Sequence, residues 1–106
     1  MSDEDSAYYH PEKLGLEPVF EVDYSDGDYQ FDLRVIWYHK ETKRYYTARD
    51  SGCSCPTPFE DYNSLADLEH VNRQVLDEIL AEIKREPRGD LDDAEQVEAL
   101  RRKVKR

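Results

Sequence analysis

The sequence predicts an α+β fold: a three-stranded antiparallel β-meander packed on one long helix in the C-terminal half, with a shorter terminal helix after it. Three observations carry that expectation. Apolar residues alternate in two hairpin-like runs between 19 and 49. Apolar residues between 65 and 83 step by three or four. A stretch of small and rigid residues, Asp50-Ser-Gly-Cys-Ser-Cys-Pro-Thr-Pro-Phe59-Glu60, separates the two patterns.

Residues 1–16 show no clear period and read as a loosely ordered acidic arm, with Tyr8 and Tyr9 free to dock on the domain that follows. From Val19 onward Phe20, Val22 and Tyr24 alternate with Glu21 and Asp23, the period of a strand. Ser25-Asp-Gly-Asp28 is a short hairpin signal. A two-residue turn at Asp26-Gly27 would pair Tyr24 with Tyr29, Val22 with Phe31 and Phe20 with Leu33, placing every apolar pair on one face. The second strand continues through Val35 and Trp37. His39 to Lys43 reads as a turn, and Arg44 to Arg49 as a third strand. A loop at 40–43 would pair Trp37 with Tyr46 and Val35 with Ala48. Ile36, Tyr38 and Tyr45 would then form an outer, partly aromatic face.

The segment from Asp50 to Asn63 is long for a connection in a compact domain, and such loops are usually functional or disordered. Gly52 suits a sharp turn after the strand. Pro56 and Pro58 fix their own φ, lack N–H donors and push Cys55 and Thr57 towards extended geometry. An ordered link anchored by Phe59 follows. Ser64-Leu-Ala-Asp67 resembles a capping box, with Asp in place of Glu. Leu68, Val71, Val75, Ile79 and Ile83 then form the stripe of an amphipathic helix to about Arg85. Pro87-Arg-Gly89 ends it. Asp92 can cap a second helix, whose stripe of Val97, Leu100 and Val104 is too thin to stand alone and should pack on the first helix. The organisation expected is therefore an arm at 1–16, one α+β domain at 17–86, and a short helix with a basic tail at 87–106.

Length and composition bound the rest. One hundred and six residues suit one core of modest size. Eight Tyr, three Phe and one Trp offset a hydrophobic content of 38%, so the chain reads as folded. No apolar run approaches a membrane span. The start is acidic and lacks the apolar core of a signal peptide, which makes a cytoplasmic protein the expectation. Ten acidic residues stand against one basic residue through Asp32, and 15 against 14 thereafter. An acidic front opposes direct nucleic-acid binding, whose affinity comes mainly from phosphate contacts. Five of the last six residues are basic, which suits a helix C-terminus.

Few residues suggest chemistry. Cys53 and Cys55 are the candidate metal ligands. Structural zinc sites space paired cysteines by two to four residues and need four ligands. Here the spacing is one, and His10, His39 and His70 each stand alone. A disulfide between the two would close a small strained ring. The simpler reading is two small residues packed in a tight loop. Asp23, Asp26 and Asp28 flank a hairpin and form no catalytic pair. No nucleophile elbow, phosphate-cradling glycine loop or HExxH motif is present. No cofactor and no enzymatic activity are expected.

The run Trp37-Tyr38, Tyr46 and Asp50 to Glu60, with its GCSCPxPFE core, resembles a family of small proteins from phages of actinobacteria. The similarity covers roughly residues 29–68. It implies a phage gene expressed in the host cytoplasm and carries over no catalytic residue. The expectation is a non-enzymatic protein, a monomer or weak dimer, that binds a host or phage protein through Asp50, Gly52, Cys53, Ser54, Cys55, Pro56, Pro58 and Phe59, with no membrane partner. Two other readings stand beside it. An acidic mimic of nucleic acid would block a DNA-binding protein. A small metal- or thiol-dependent protein would use Cys53 and Cys55.

Overall fold

The computed structural model describes residues 11–25, 30–53, 65–87 and 89–104. The chain divides into two compact units, Met1–His70 and Val71–Arg106.

The first unit is built on an antiparallel sheet. A 3-10 turn at Pro11–Leu14 leads into β1 (Leu16–Asp23), β2 (Gln30–His39) and β3 (Arg44–Cys53). A second 3-10 turn at Leu65–Asp67 precedes a two-residue strand, β4 (Glu69–His70). The sheet order is β1-β2-β3-β4, so the meander has four strands and not three.

The β2–β3 hairpin has the expected register: Trp37 opposes Tyr46, Val35 opposes Ala48, and the ladder closes with His39 opposite Arg44. The turn is held by Lys43 N–H donating to the His39 carbonyl at 2.8 Å. The buried His39 ring adds to it, with Nδ1 2.7 Å from the Thr42 hydroxyl. Beyond Arg49 the strand continues to Cys53, so Gly52 opposes Phe31 within the ladder and is not a turn.

The β1–β2 register differs from the two-residue turn expected at Asp26-Gly27. Val22 opposes Arg34 and Asp23 opposes Leu33. The Tyr24 N–H donates to the Asp32 carbonyl at 2.8 Å. The Asp23 carboxylate accepts from the N–H groups of Ser25 at 2.9 Å and Asp32 at 3.2 Å, so a side chain closes the connection. The odd-number shift moves Phe20, Val22 and Tyr24 to the face opposite Phe31 and Leu33. A bulge between Pro18 and Phe20 makes this possible, because Leu16, before it, keeps the phase of the first face.

Both faces of the sheet are therefore buried in part. One carries a cluster of Leu16, Phe31, Leu33, Val35, Trp37, Ala48 and Leu68, with Leu14, Tyr46 and Leu65 packed against it. The other buries Phe20, Val22, Tyr24, Ile36 and Thr47. Thr47 is wholly buried and satisfied: its hydroxyl donates to the Val35 carbonyl at 2.7 Å and accepts from Arg34 at 3.3 Å. The expected outer face thus loses Ile36 to the interior.

The second unit is a pair of helices, α1 (Arg73–Arg85) and α2 (Leu91–Lys103). The helix expected from Ser64 begins nine residues later. Leu65 and Leu68 are taken by the sheet cluster, and Glu69 and His70 pair with Thr47 and Tyr46 of β3. Asn72 then supplies the N-cap, its side-chain oxygen accepting from Val75 N–H at 2.9 Å. His70 consequently lies on β4 and not on a helix. Val75, Leu76, Ile79 and Ile83 form the buried stripe of α1. A Cβ on Gly89 would collide with the Ile83 carbonyl oxygen, so glycine is required where the chain turns back. α2 is capped by Asp90, two residues before the expected Asp92, in a reciprocal box with Asp93. Ala94, Val97 and Leu100 are buried, and α2 packs along α1 as its thin stripe requires. Arg101 Nε donates to Asp77 at 2.6 Å, which ties the end of α2 to the start of α1.

Burial, as the largest cause, raises the Asp93 carboxyl above its ordinary value, and the neighbouring Asp90 carboxylate adds to this. The folded state therefore takes up this proton first on acidification, so the group adds stability as pH falls through its folded value and less as pH rises out of that window. Urea denaturation of the wild type and Asp93→Asn checks the sign: the difference in favour of the wild type is larger at pH 3 than at pH 7. Ile36→Ala and Leu33→Ala are each expected to cost about 2–4 kcal/mol in the same measurement. A negligible loss for Ile36→Ala would restore the single-core sheet.

Candidate functional site

The residues singled out by sequence begin inside the sheet. Asp50, Gly52 and Cys53 form the last turn-free stretch of β3, opposite Leu33, Phe31 and Gln30. Asp50 and Gly52 are half-buried. Ser54, Cys55, Pro56, Pro58 and Phe59 lie outside the described residues, as does the thiol of Cys53. The metal reading of Cys53 and Cys55 falls on the same residues. Among the described residues no group of three or more His, Cys, Asp and Glu side chains is placed to hold a metal ion.

What holds this end of the sheet is an ion pair that the sequence reading passed over. Arg49 and Asp32 form a bidentate pair, with Nε and Nη2 each 2.8 Å from a different carboxylate oxygen. Both side chains are about three-quarters buried, at 27% and 25% exposure, so screening by salt is limited. The Arg49 guanidinium also lies 4.8 Å from the Tyr24 ring centroid, at cation–π distance. The geometry follows from the ladder. Asp32 opposes Ser51 and sits diagonal to Arg49, within reach of long side chains. Arg34 stands directly opposite Arg49, an arrangement of like charges that destabilises a sheet unless it is neutralised. Asp32 neutralises it. Three strands are thereby joined through Tyr24, Asp32 and Arg49, one residue before the motif starts. The signal was present in the correctly read β2–β3 register, but it is only visible once the diagonal neighbours are drawn.

At the other end of the ladder Tyr38 opposes Tyr45, with ring centroids 5.0 Å apart and tilted by 50°. Both rings are half-buried. These two are what remains of the expected outer aromatic face. Burial first, and then the neighbouring Tyr38, raises the Tyr45 phenol above its ordinary value. On the reverse face a row of rings runs from His39 through Tyr46, 6.0 Å away edge-on, to His70, a further 5.8 Å.

A family model for a domain of unknown function, DUF7574, matches residues 5–106. The chain belongs to the DUF7574 family. No curated protein and no solved structure matches it. The similarity of the GCSCPxPFE stretch to an uncharacterised family is consistent with this membership, which spans the sheet and both helices. Among the described residues of this DUF7574 chain no helix is long and apolar enough to cross a membrane.

Arg49→Lys tests the brace. Lysine keeps the charge but cannot form the planar fork or lie flat on Tyr24. The expected loss is about 1–2 kcal/mol by urea denaturation. Raising salt to about 1 M should leave most of that difference in place, because the pair is largely buried. An unchanged midpoint would show that the brace contributes nothing.

Proposed function

We propose that this DUF7574 protein is a non-enzymatic binding module that engages another protein, of a phage or of its host, through the stretch that begins at Asp50. The observation that supports this reading is the brace at the end of β3. Tyr24, Asp32 and Arg49 hold three strands together immediately before Asp50, and Asp50 to Cys53 remain in the ladder. The motif residues that follow in sequence therefore depart from a fixed point. Binding through a segment launched from a rigid element loses less entropy than binding through a free linker. Gly52, Cys53, Ser54 and Cys55 are small and put little side-chain bulk in a partner's way, and Pro56 and Pro58 reduce the freedom that association must remove.

Ser54→Arg tests the reading. A bulky cation at a small position is expected to leave the melting temperature within about 2 °C of the wild type while abolishing co-purification of the partner from cells. Glu21→Arg, on the exposed side of β1, serves as the control for added charge and should capture the partner normally. A folded Ser54→Arg protein that retains the same partner at the wild-type yield sinks the proposal.

A further inference from the structure

The two edges of the sheet are built differently. The order β1-β2-β3-β4 leaves β1 at one edge. That edge is guarded in three ways. Pro18 has no N–H to offer, a bulge between Pro18 and Phe20 breaks the line, and Glu17, Glu21 and Asp23 are exposed along it. At the other edge β4 opposes only Tyr46 and Thr47 of the ten-residue β3. From Ala48 to Cys53 no strand of the described residues lies outside β3, and the run holds no proline and no register shift.

The ladder fixes which main-chain groups face that edge. In an antiparallel pair a residue turns its N–H and C=O to the same side, and the side alternates along the strand. Tyr24 N–H donates to the Asp32 carbonyl, so Asp32 faces β1 while Phe31 and Leu33 face β3. Their partners Gly52 and Asp50 therefore face β2, and Ser51 and Cys53 turn their main-chain groups outward. Thr47, in the same phase, is the residue that meets Glu69 of β4. Among the described residues nothing pairs with the outward main chain of Ser51 or Cys53. Side-chain bulk is slight here: Ser51 is small and exposed, and Gly52 has no side chain. The neighbouring charges are already engaged. Arg49 is held by Asp32, and Asp50 has a partner of its own.

We propose, resting on the binding reading above, that the partner protein adds an extended, uncharged segment to the outer edge of β3. The segment runs antiparallel to β3, in line with β4, and pairs with the main chain of Ser51 and Cys53. Strand addition of this kind draws affinity from main-chain hydrogen bonds and specificity from alternate side chains. A segment rich in Val and Thr suits the edge, because such residues favour the extended state and the charged side chains beside it already have partners. A helix satisfies its main chain internally and offers nothing to these groups. The brace of Tyr24, Asp32 and Arg49 holds the template in shape before the segment arrives, so little freedom is lost in ordering it.

The probe is the blocked pentapeptide Thr-Val-Thr-Val-Thr, titrated into isotope-labelled full chain and followed by amide NMR shifts and hydrogen exchange. In the free chain the amides of Ser51 and Cys53 are expected to exchange about tenfold faster, or more, than those of Asp50 and Gly52. Equal protection would show the edge already covered and overturns the proposal. With the peptide, shifts are expected at Ser51 and Cys53 and not along β1. A counterpart N-methylated at every residue has no donor on either edge and should bind about tenfold more weakly. Ser51→Pro removes one outward N–H and spares the β2–β3 ladder, so it should fold and weaken the peptide about tenfold, whereas Ser51→Ala should bind as the wild type does. Strand addition is overturned if Ser51 and Cys53 do not respond, if the N-methylated peptide binds equally well, or if a folded Ser51→Pro protein does. The N-methylated peptide decides the matter even where Ser51→Pro does not fold. Co-purification separates the two proposals. A partner lost by Ser54→Arg but kept by Ser51→Pro removes strand addition and leaves the binding reading, while a partner kept by Ser54→Arg sinks the binding reading whatever the peptide does.

Discussion

Successive side chains of a β-strand point to opposite faces, and the whole sheet answers to that constraint. A strand can serve two buried faces only if it is apolar throughout or if it changes phase. β2 takes the first course: Val35, Ile36 and Trp37 are consecutive and all but fully buried. β1 takes the second. Leu16 joins the cluster of Leu33, Val35 and Trp37, then the bulge near Val19 resets the alternation, and Phe20, Val22 and Tyr24 serve the other face. Val19 is the residue left over, and it is the one large apolar side chain of β1 that is exposed. Placing Tyr24 on that second face also puts its ring beneath Arg49, so the brace on β3 depends on a bulge five residues before Tyr24.

How much of this was legible follows from how local each signal is. The β2–β3 register could be read because the closing turn, the apolar pairs and the loop length agree within a few residues. The β1–β2 register could not. Asp26-Gly27 is a strong local turn signal, but the Asp23 side chain closes a longer connection, and the pairing is decided by burial on two faces rather than one. The same competition moved the helix start. Ser64 to Asp67 has the chemistry of a cap, yet Leu65 and Leu68 belong to the sheet cluster, which overrides local propensity, and Asn72 is left to begin α1. Asp90 against Asp92 is a smaller case: both can cap, and the glycine that must sit against Ile83 fixes which one does.

The candidate site was legible in its composition and not in its support. Glycine, two cysteines and two prolines mark the stretch after Arg49 as unlike either neighbour. That Asp50 to Cys53 are strand, and that a bidentate ion pair fixes the strand just before them, requires diagonal neighbours across a ladder to be known. Single-sequence periodicity assigns faces, but it does not assign diagonals.

Net charge is a poor guide to what such a chain attracts. In the first unit, Arg34 and Arg49 are committed within the ladder, where Thr47 and Asp32 receive them. Lys40 is answered by Glu17. Lys13, Lys43 and Arg44 are exposed, the last two at the hairpin turn that also carries Glu41. At physiological ionic strength the screening length is about 8 Å, a fraction of the ladder's length of about 30 Å. A charge at one end of the ladder is therefore little felt at the other. What a surface attracts is set by the charged groups within a screening length of it, acidic and basic alike, and not by the net charge of the chain.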